Sequence, residues 1–136
     1  MKGECDLLLS FEKMESLRMI EYANPQTTII VNTQKVNPST VISGLAVYPE
    51  NIEDILNSNF ENVIFVDALK LAQEAGNIRT ANIALLGVAS KVLDIPIEIW
   101  ENAIAQRVPE RAVEVNLKAF HLGLQEAQNK QILYNI

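Results

Sequence analysis

The sequence is poor in the side chains from which most self-contained active sites are built. Its 136 residues include one cysteine, Cys5, and one histidine, His121. A single cysteine excludes an internal disulfide, and it excludes any zinc or iron–sulfur site ligated only by cysteines of this chain. His121 has no second histidine and no ordered carboxylate pattern to join it, so we expect no metal site there. A nucleophile–base pair would form only if folding happened to join distant residues.

The sequence motifs of common enzyme classes are also missing. There is no Gly-x-Ser-x-Gly elbow, no His-Glu-x-x-His helix, no Walker loop and no Gly-x-Gly-x-x-Gly loop. Lys and Arg together number 11 against 17 Asp and Glu, for a net charge of −6, and they form no basic stripe that could neutralise phosphates. We therefore expect no nucleic-acid partner. No apolar run approaches the ~20 residues of a membrane helix and no signal-peptide pattern opens the chain, so we expect a cytoplasmic protein without a membrane partner.

What the chain does contain is the pattern of a single α/β domain. Hydrophobic residues make up 49% of it, and three strand-like runs alternate with helical patterns, at Asp6–Ser10, Thr27–Asn32 and Asn62–Asp67. Strands joined through helices form parallel βαβ units. We therefore predict an α/β fold with three layers (α/β/α) and a mostly parallel sheet, as one domain over residues 1–136. The apolar run Asp6–Ser10 is typical of a strand buried on both faces, and Ser10 is placed to cap the helix that follows.

The stretch Leu71–Gly87 is the one around which the rest is organised. It ends one helix, breaks at Gly76-Asn77 and begins a second helix that is apolar on nearly every side, as expected in the middle of a core. The favoured interpretation of the break is a turn between two helices, with glycine supplying left-handed backbone. The alternative is a polar corner, made of Asn77, Arg79 and Asn82, that faces a partner or a ligand.

Other polar side chains stand at positions that allow a structural or a functional role. Asn32 ends the second strand, at the position where open α/β sheets place ligands, although the start of a polar loop is the favoured interpretation. Asn116 falls inside the apolar stripe of the last helix, where an amide either bonds to nearby backbone or contacts a partner. We expect Asn82 and Asn116 to be substantially buried and hydrogen-bonded. Asp67 either caps the next helix or acts chemically, and for Trp100 a place in a core or an interface is favoured over a ligand platform.

Three segments carry weaker signals. A turn is predicted at Asn37–Ser39, and an extended segment is predicted over Val41–Tyr48. The polar tail over residues 125–136 is expected to fray, although Ile132–Tyr134 could dock against the domain.

Several short motifs occur in an order that is found in one known family. They are Asp6–Glu12, Ile30–Asn32, Gly44, Tyr48-Pro49, Val66–Ala68, Leu71-Ala72, Ala75–Asn77, Asn82–Gly87, Val108-Pro109 and Asn116–Gly123. With them, the chain up to about Gly123 resembles the gamma subunit or domain of 2-oxoacid:ferredoxin oxidoreductases. The runs Ile97–Glu101 and Glu114–Phe120 look most like the indolepyruvate ferredoxin oxidoreductase beta subunit.

The resemblance implies an accessory role in an oxidoreductase complex. The implied reaction is oxidative decarboxylation of an aryl or other 2-oxoacid to an acyl-coenzyme A, with CO2 released and electrons passed to ferredoxin. In that family, thiamine diphosphate and iron–sulfur clusters belong to other subunits or domains. This chain would bind no cofactor itself and would pack on a large catalytic subunit, with coenzyme A as a co-substrate of the complex.

One departure from the family pattern matters. The family opens with a strand and a loop of the Gly-x-Gly-Gly-Gln-Gly kind, which this sequence lacks. The chain is therefore similar to the C-terminal part of such a subunit, with the first strands of the sheet missing, and we expect the exposed strand edge to promote self-association. A rival hypothesis is a free-standing α/β binding or interaction module without catalysis. A neighbouring gene for the large catalytic subunit would favour the oxidoreductase.

Overall fold

The structure is a computed structural model, and it describes residues 1–33 and 51–131. It divides into two compact units, Met1–Phe65 and Val66–Ile136, which are described separately below. The predicted turn at Asn37–Ser39, the extended segment Val41–Tyr48 and the docking of Ile132–Tyr134 lie outside the described residues. The mixed α/β class with a parallel sheet is confirmed. The three-layer arrangement and the single domain over residues 1–136 stay predictions.

The first unit is built around a three-stranded parallel sheet with the order β1-β2-β3. Its elements in chain order are β1 (Cys5–Ser10), α1 (Lys13–Arg18), β2 (Ala23–Asn32), α2 (Ile52–Asn59) and β3 (Asn62–Val66). A one-turn 3₁₀ helix, Ile20–Tyr22, precedes β2. β1 and β2 pair with Leu8 opposite Ile29 and Ser10 opposite Val31. The β-branched run of the second predicted strand therefore forms the middle of the sheet.

The core of the first unit lies against β2 and α2. Its buried members are Ile29, Val31, Ile52, Leu56 and Val63, and Leu8, Met14, Leu17 and Ile20 pack partly buried against them. Ile30, which alternates with Ile29 and Val31 along β2, is also fully buried, so the end of β2 from Ile29 to Asn32 has no solvated face. This end of β2 thus has the two-faced burial that the sequence suggested for β1.

The prediction that Asp6–Ser10 is buried on both faces is wrong. Asp6 is exposed and Leu7, Leu8 and Leu9 are half-buried, because β1 lies at the edge of the sheet that the structure describes. Whether an apolar run is covered on both faces depends on its neighbours in space, which the run itself does not specify.

Ser10 does not cap the helix that follows β1, contrary to the prediction. Ser10 still belongs to β1, and its hydroxyl donates to the backbone carbonyl of Glu12 at 2.6 Å. The cap of α1 is Glu12, whose carboxylate accepts the backbone N–H of Met14 at 2.9 Å and that of Glu15 at 3.2 Å. An acidic side chain at this position also suits the positive end of the helix.

The second unit is helical apart from the end of β3. It contains α3 (Ala68–Ala75), α4 (Ala81–Val92), α5 (Ile97–Arg107) and α6 (Val113–Gln131). One-turn 3₁₀ helices, Ile78–Thr80 and Glu110–Ala112, precede α4 and α6. Helix α6 extends through residue 125 to Gln131, and the fraying expected over residues 125–136 stays a prediction. Gly123 and Ala127 are buried at a spacing of four residues, so the packed stripe of α6 continues through the polar composition.

Helices α4 and α6 cross with their backbones in contact. A Cβ added at Gly87 would fall against the carbonyl oxygen of Phe120, and 2.9 Å from the backbone nitrogen of Leu124. A Cβ added at Gly123 would fall against the carbonyl oxygen of Ala84. Only glycine permits so close an approach of two backbones. Helix α4 buries a fully covered stripe that includes Leu85 and Val88, as predicted for a helix apolar on most sides.

Candidate functional site

The break at Gly76-Asn77 is a turn between two helices. Gly76 has φ of 115° and ψ of 0°, the left-handed conformation that closes a helix cheaply when the residue is glycine. The backbone N–H groups of Gly76 and Asn77 both donate to the carbonyl of Ala72 at 3.0 Å, which satisfies the end of α3. At the other end of α3, Asp67 is the cap, because its Oδ1 accepts the backbone N–H of Lys70 at 3.1 Å.

Asn77 also caps the start of the next segment. Its Oδ1 accepts the backbone N–H of Arg79 at 2.9 Å, and its own carbonyl accepts both the N–H of Thr80 at 3.0 Å and the Thr80 hydroxyl at 2.7 Å. The Asn77 side chain therefore has a structural role, which is the favoured interpretation from the sequence. The hydrogen bond nevertheless fixes the orientation of this amide at the protein surface.

Asn77, Arg79 and Asn82 are all exposed, and we call these three residues the polar corner. They lie within six successive positions spanning the turn and the first turn of α4. The expectation that Asn82 is buried is wrong. The packed stripe of α4 begins at Ala84, half a turn beyond Asn82, so the first turn of this apolar helix stays in solvent.

Asn32 and Asn116 are engaged inside the protein. Asn116 is 9% exposed, and its Nδ2 donates to the carbonyl of Ala112 at 2.8 Å, so the prediction of a buried, bonded amide is confirmed for this residue. Asn32 is 3% exposed, and its Nδ2 donates to the carbonyl of Phe11 at 3.2 Å. That bond ties the end of β2 to the loop after β1. Asn32 belongs to the first unit, and the other four candidate residues belong to the second.

A cluster of rings and charges joins α5 to α6, and the sequence did not indicate it. The ring of Trp100 stacks on that of Phe120, with centroids 6.1 Å apart and an interplanar angle of 29°. The His121 ring makes a T-shaped contact with that of Phe120, with centroids 5.6 Å apart, and its Nε2 lies 2.8 Å from Oε2 of Glu101. Trp100 was expected in a core or an interface. The Glu101–His121 pair left no sequence signal, because its members lie 20 residues apart on different helices.

The described part of the chain holds no group of three or more His, Cys, Asp or Glu side chains that could bind a metal ion. The thiol of Cys5 is half-buried and donates to the carbonyl of Leu7 at 2.9 Å.

A surface depression of about 220 Å³ lies beside the end of α3, and Arg111, Glu114 and Lys118 line it together with Ala75 and Val115. Among the helices within residues 1–33 and 51–131, none is both long and apolar enough to cross a membrane.

The sequence matches a known protein family over nearly its whole length. Residues 1–126 match the family described as "Pyruvate ferredoxin/flavodoxin oxidoreductase". The chain is similar to indolepyruvate oxidoreductase subunit IorB of three archaea, with 39% identity for Pyrococcus horikoshii, 36% for Thermococcus kodakarensis and 34% for Archaeoglobus fulgidus. Each alignment covers 93% of this chain and 65% of the relative. The chain therefore spans somewhat less than two thirds of the length of these relatives.

The fold is similar to that of a solved subunit. The crystal structure of a keto/oxoacid ferredoxin oxidoreductase gamma subunit from Geobacter sulfurreducens PCA superimposes with a TM-score of 0.68, at 24% sequence identity. The match covers 93% of this chain and 66% of that chain. At this identity the likeness establishes the fold.

Proposed function

The chain belongs to the pyruvate ferredoxin/flavodoxin oxidoreductase family, and from that membership we propose that it is an accessory subunit of a 2-oxoacid:ferredoxin oxidoreductase. The family resemblance stated from the sequence motifs is confirmed. The proposed substrate of the complex is an aryl pyruvate such as indolepyruvate. The observation that carries this choice is the alignment of three relatives, each named indolepyruvate oxidoreductase subunit IorB, over 93% of the chain.

In the proposed reaction, the bond between the carboxyl and carbonyl carbons of the 2-oxoacid breaks and CO2 leaves. The remaining acyl group is oxidised and joins the sulfur of coenzyme A, and its electrons reduce ferredoxin. Thiamine diphosphate and iron–sulfur clusters are assigned to a large catalytic partner subunit. A cluster needs about four thiolate ligands, and Cys5 is the only cysteine of this sequence.

The polar corner is the proposed contact with the partner. Asn77, Arg79 and Asn82 are exposed, and the two helices that flank them are anchored in the buried part of the second unit. Since the bond from the Arg79 N–H to Asn77 fixes this turn, the corner presents a rigid set of donors and acceptors. Arginine is a common anchor in protein interfaces. Asn32 and Asn116 are left out of this contact because their amides bond to backbone within the chain.

The test is co-expression of the full chain with the thiamine-dependent large subunit encoded in the same genome. We expect the two to co-purify and to reduce ferredoxin when indolepyruvate and coenzyme A are supplied. Arg79→Ala should weaken the complex, whereas Lys91→Ala, an exposed change later on α4, should leave it intact. Failure of the wild-type chain to associate would instead favour a free-standing binding module.

The chain alone is expected to decarboxylate no 2-oxoacid, even with thiamine diphosphate, coenzyme A and ferredoxin present. The residues that would bind and orient the cofactor are assigned to the large catalytic subunit, and the chain alone therefore lacks them. Acceptor reduction that depends on substrate, by the purified chain alone and at rates typical of enzymes, would contradict the accessory role.

A further inference from the structure

Helix α5 is the most weakly embedded helix of the second unit. Ile104 is its one buried residue, whereas Ile99 is 57% exposed and Ile95, just before the helix, is 40% exposed. Its principal neighbour is α6. Helix α4, by contrast, buries six residues and meets α6 backbone to backbone through Gly87.

The chain is extended at both ends of α5. Pro96 precedes the helix with φ of −55° and ψ of 139°, and Val108 follows it with φ of −99° and ψ of 156°. Neither end continues into the next helix. A few residues at the ends of an element are enough to absorb the backbone rotation of a hinge.

In addition to the burial of Ile104, two side-chain contacts join α5 to α6, and we call their four residues the latch. They are the stacking of Trp100 on Phe120 and the 2.8 Å contact of Glu101 with His121. The Glu101–His121 pair is partly solvated, with side-chain exposures of 33% and 48%. Solvated pairs of this kind contribute little to stability.

The latch also contains an unmet hydrogen-bond donor. The indole Nε1 of Trp100 is buried from solvent and makes no hydrogen bond with a described residue. A buried donor without a partner opposes the state that buries it, and exposure to water removes that penalty. The closed position of α5 is therefore stabilised by few contacts, and the buried indole N–H of Trp100 opposes it.

We propose that α5 opens from α6 as a unit about its two extended ends, while α3, α4 and α6 remain folded. Segments with few buried apolar contacts open at a lower free energy than the core of the same protein, and elements that move in binding are drawn from them. Opening would expose the faces of Trp100 and Phe120 and would hydrate the indole N–H. This device does not depend on the proposed oxidoreductase function.

Hydrogen exchange of the full chain in increasing denaturant tests the opening. Amides of α5 should exchange by local opening, about tenfold or more faster than those of α4 and α6 and with little dependence on denaturant. Amides of α4 and α6 should exchange only with global unfolding. Equal opening free energies and equal denaturant dependence in all three helices would overturn the proposal.

Trp100 provides an independent readout because it is the only tryptophan. We expect Glu101→Ala to increase acrylamide quenching of its fluorescence and to accelerate exchange in α5 alone, by up to about fivefold, the limit for a solvated pair. Asn102→Ala is a polar-to-alanine change at an exposed mid-helix position of α5 and should change neither. Equal quenching in the two variants, or accelerated exchange spread over α4 and α6, would mean that the latch does not control α5. If Glu101→Ala fails to fold, exchange of the wild-type chain still decides the proposal.

Discussion

Two asparagine side chains, Asn82 and Asn116, differ in whether the fold buries their amides. Asn116 lies nearly buried and bonds to the carbonyl of Ala112, while Asn82 lies in solvent on the first turn of α4. Both residues stand in apolar helices. The difference arises because Asn116 lies within the buried stripe of α6, whereas the buried stripe of α4 begins only after Asn82. Replacing Asn116 should therefore cost more free energy of unfolding than replacing Asn82.

Asn116→Ala is expected to lower the free energy of unfolding by about 1 kcal/mol, because it removes a side-chain hydrogen bond from a site with little access to water. Asn82→Ala is the matched control, and its effect should lie within ~0.5 kcal/mol of zero. Chemical denaturation of both variants measures the difference. Equal losses, or no loss for Asn116→Ala, would show that the Ala112 bond does not contribute to stability.

Glu12 carries out the capping that the sequence assigned to Ser10. Its carboxylate accepts two backbone N–H groups of the short helix α1, so Glu12→Ala should destabilise the chain by about 1 kcal/mol. Glu61→Ala removes the same charge from an exposed position and should have no such effect. Thermal or urea unfolding distinguishes the two. A loss of equal size in both variants would point to net charge as the cause.

Capping could be predicted from the sequence where the pattern was local. Gly76 was identified as the end of α3, and a cap was one of the two roles proposed for Asp67 before it, because a helix end requires a cap and glycine closes it at low cost. Ser10 was misassigned because the strand runs on through it, and the end of a strand depends on its pairing partner. The exposure of Asn82 could not be predicted either, because it depends on which turn of α4 reaches α6.

At the scale of elements, the crossing of α4 and α6 is the closest contact described in the second unit. The sequence placed an apolar helix at the centre but carried no sign of which glycines lie against the partner helix. Gly87 lies against backbone of Phe120 and Leu124, and Gly123 lies against backbone of Ala84, only because the helices cross there. Helix limits followed periodicity and capping, whereas helix pairing is a property of the folded molecule.

Gly87→Ala and Gly123→Ala should each destabilise the second unit by roughly 1–3 kcal/mol or more, because each new methyl group meets backbone that cannot rotate away. Gly76→Ala is the informative comparison. The nearest atom to a Cβ there is Cγ2 of Val115 at 4.0 Å, so that variant suffers only from its positive φ. Gly76→Asn should recover part of the loss, since asparagine tolerates left-handed backbone. If Gly87→Ala and Gly123→Ala were as stable as wild type in urea, the two helix backbones would separate at little cost.

At the scale of the whole molecule, the family could be predicted from sequence because its motifs are spread along most of the chain. Strand order could not. The runs that form β1 and β2 are both apolar, yet only the end of β2 is covered on both faces. Burial of a strand is decided by its neighbours in the sheet, and these are fixed by topology and not by composition.

The edge position of β1 predicts that the isolated chain self-associates. In the part of the sheet that the structure describes, β1 pairs with β2 on one side, and its single charged residue is Asp6. An irregularity in the register between Cys5 and Leu7 disturbs only the start of the strand. Natural proteins commonly guard such edges with charges, prolines or bulges, since an unpaired strand is a template for another chain.

Sedimentation velocity at tens of micromolar should therefore show association of the wild-type chain. Leu7→Lys places a charge on the edge strand and should shift the distribution toward monomer. Asn57→Lys adds the same charge to an exposed position of α2 and should not. A wild-type monomer that melts sharply would contradict this prediction. An equal effect of both lysines would assign any association to net charge, because only Leu7→Lys alters the edge that a second chain would pair with.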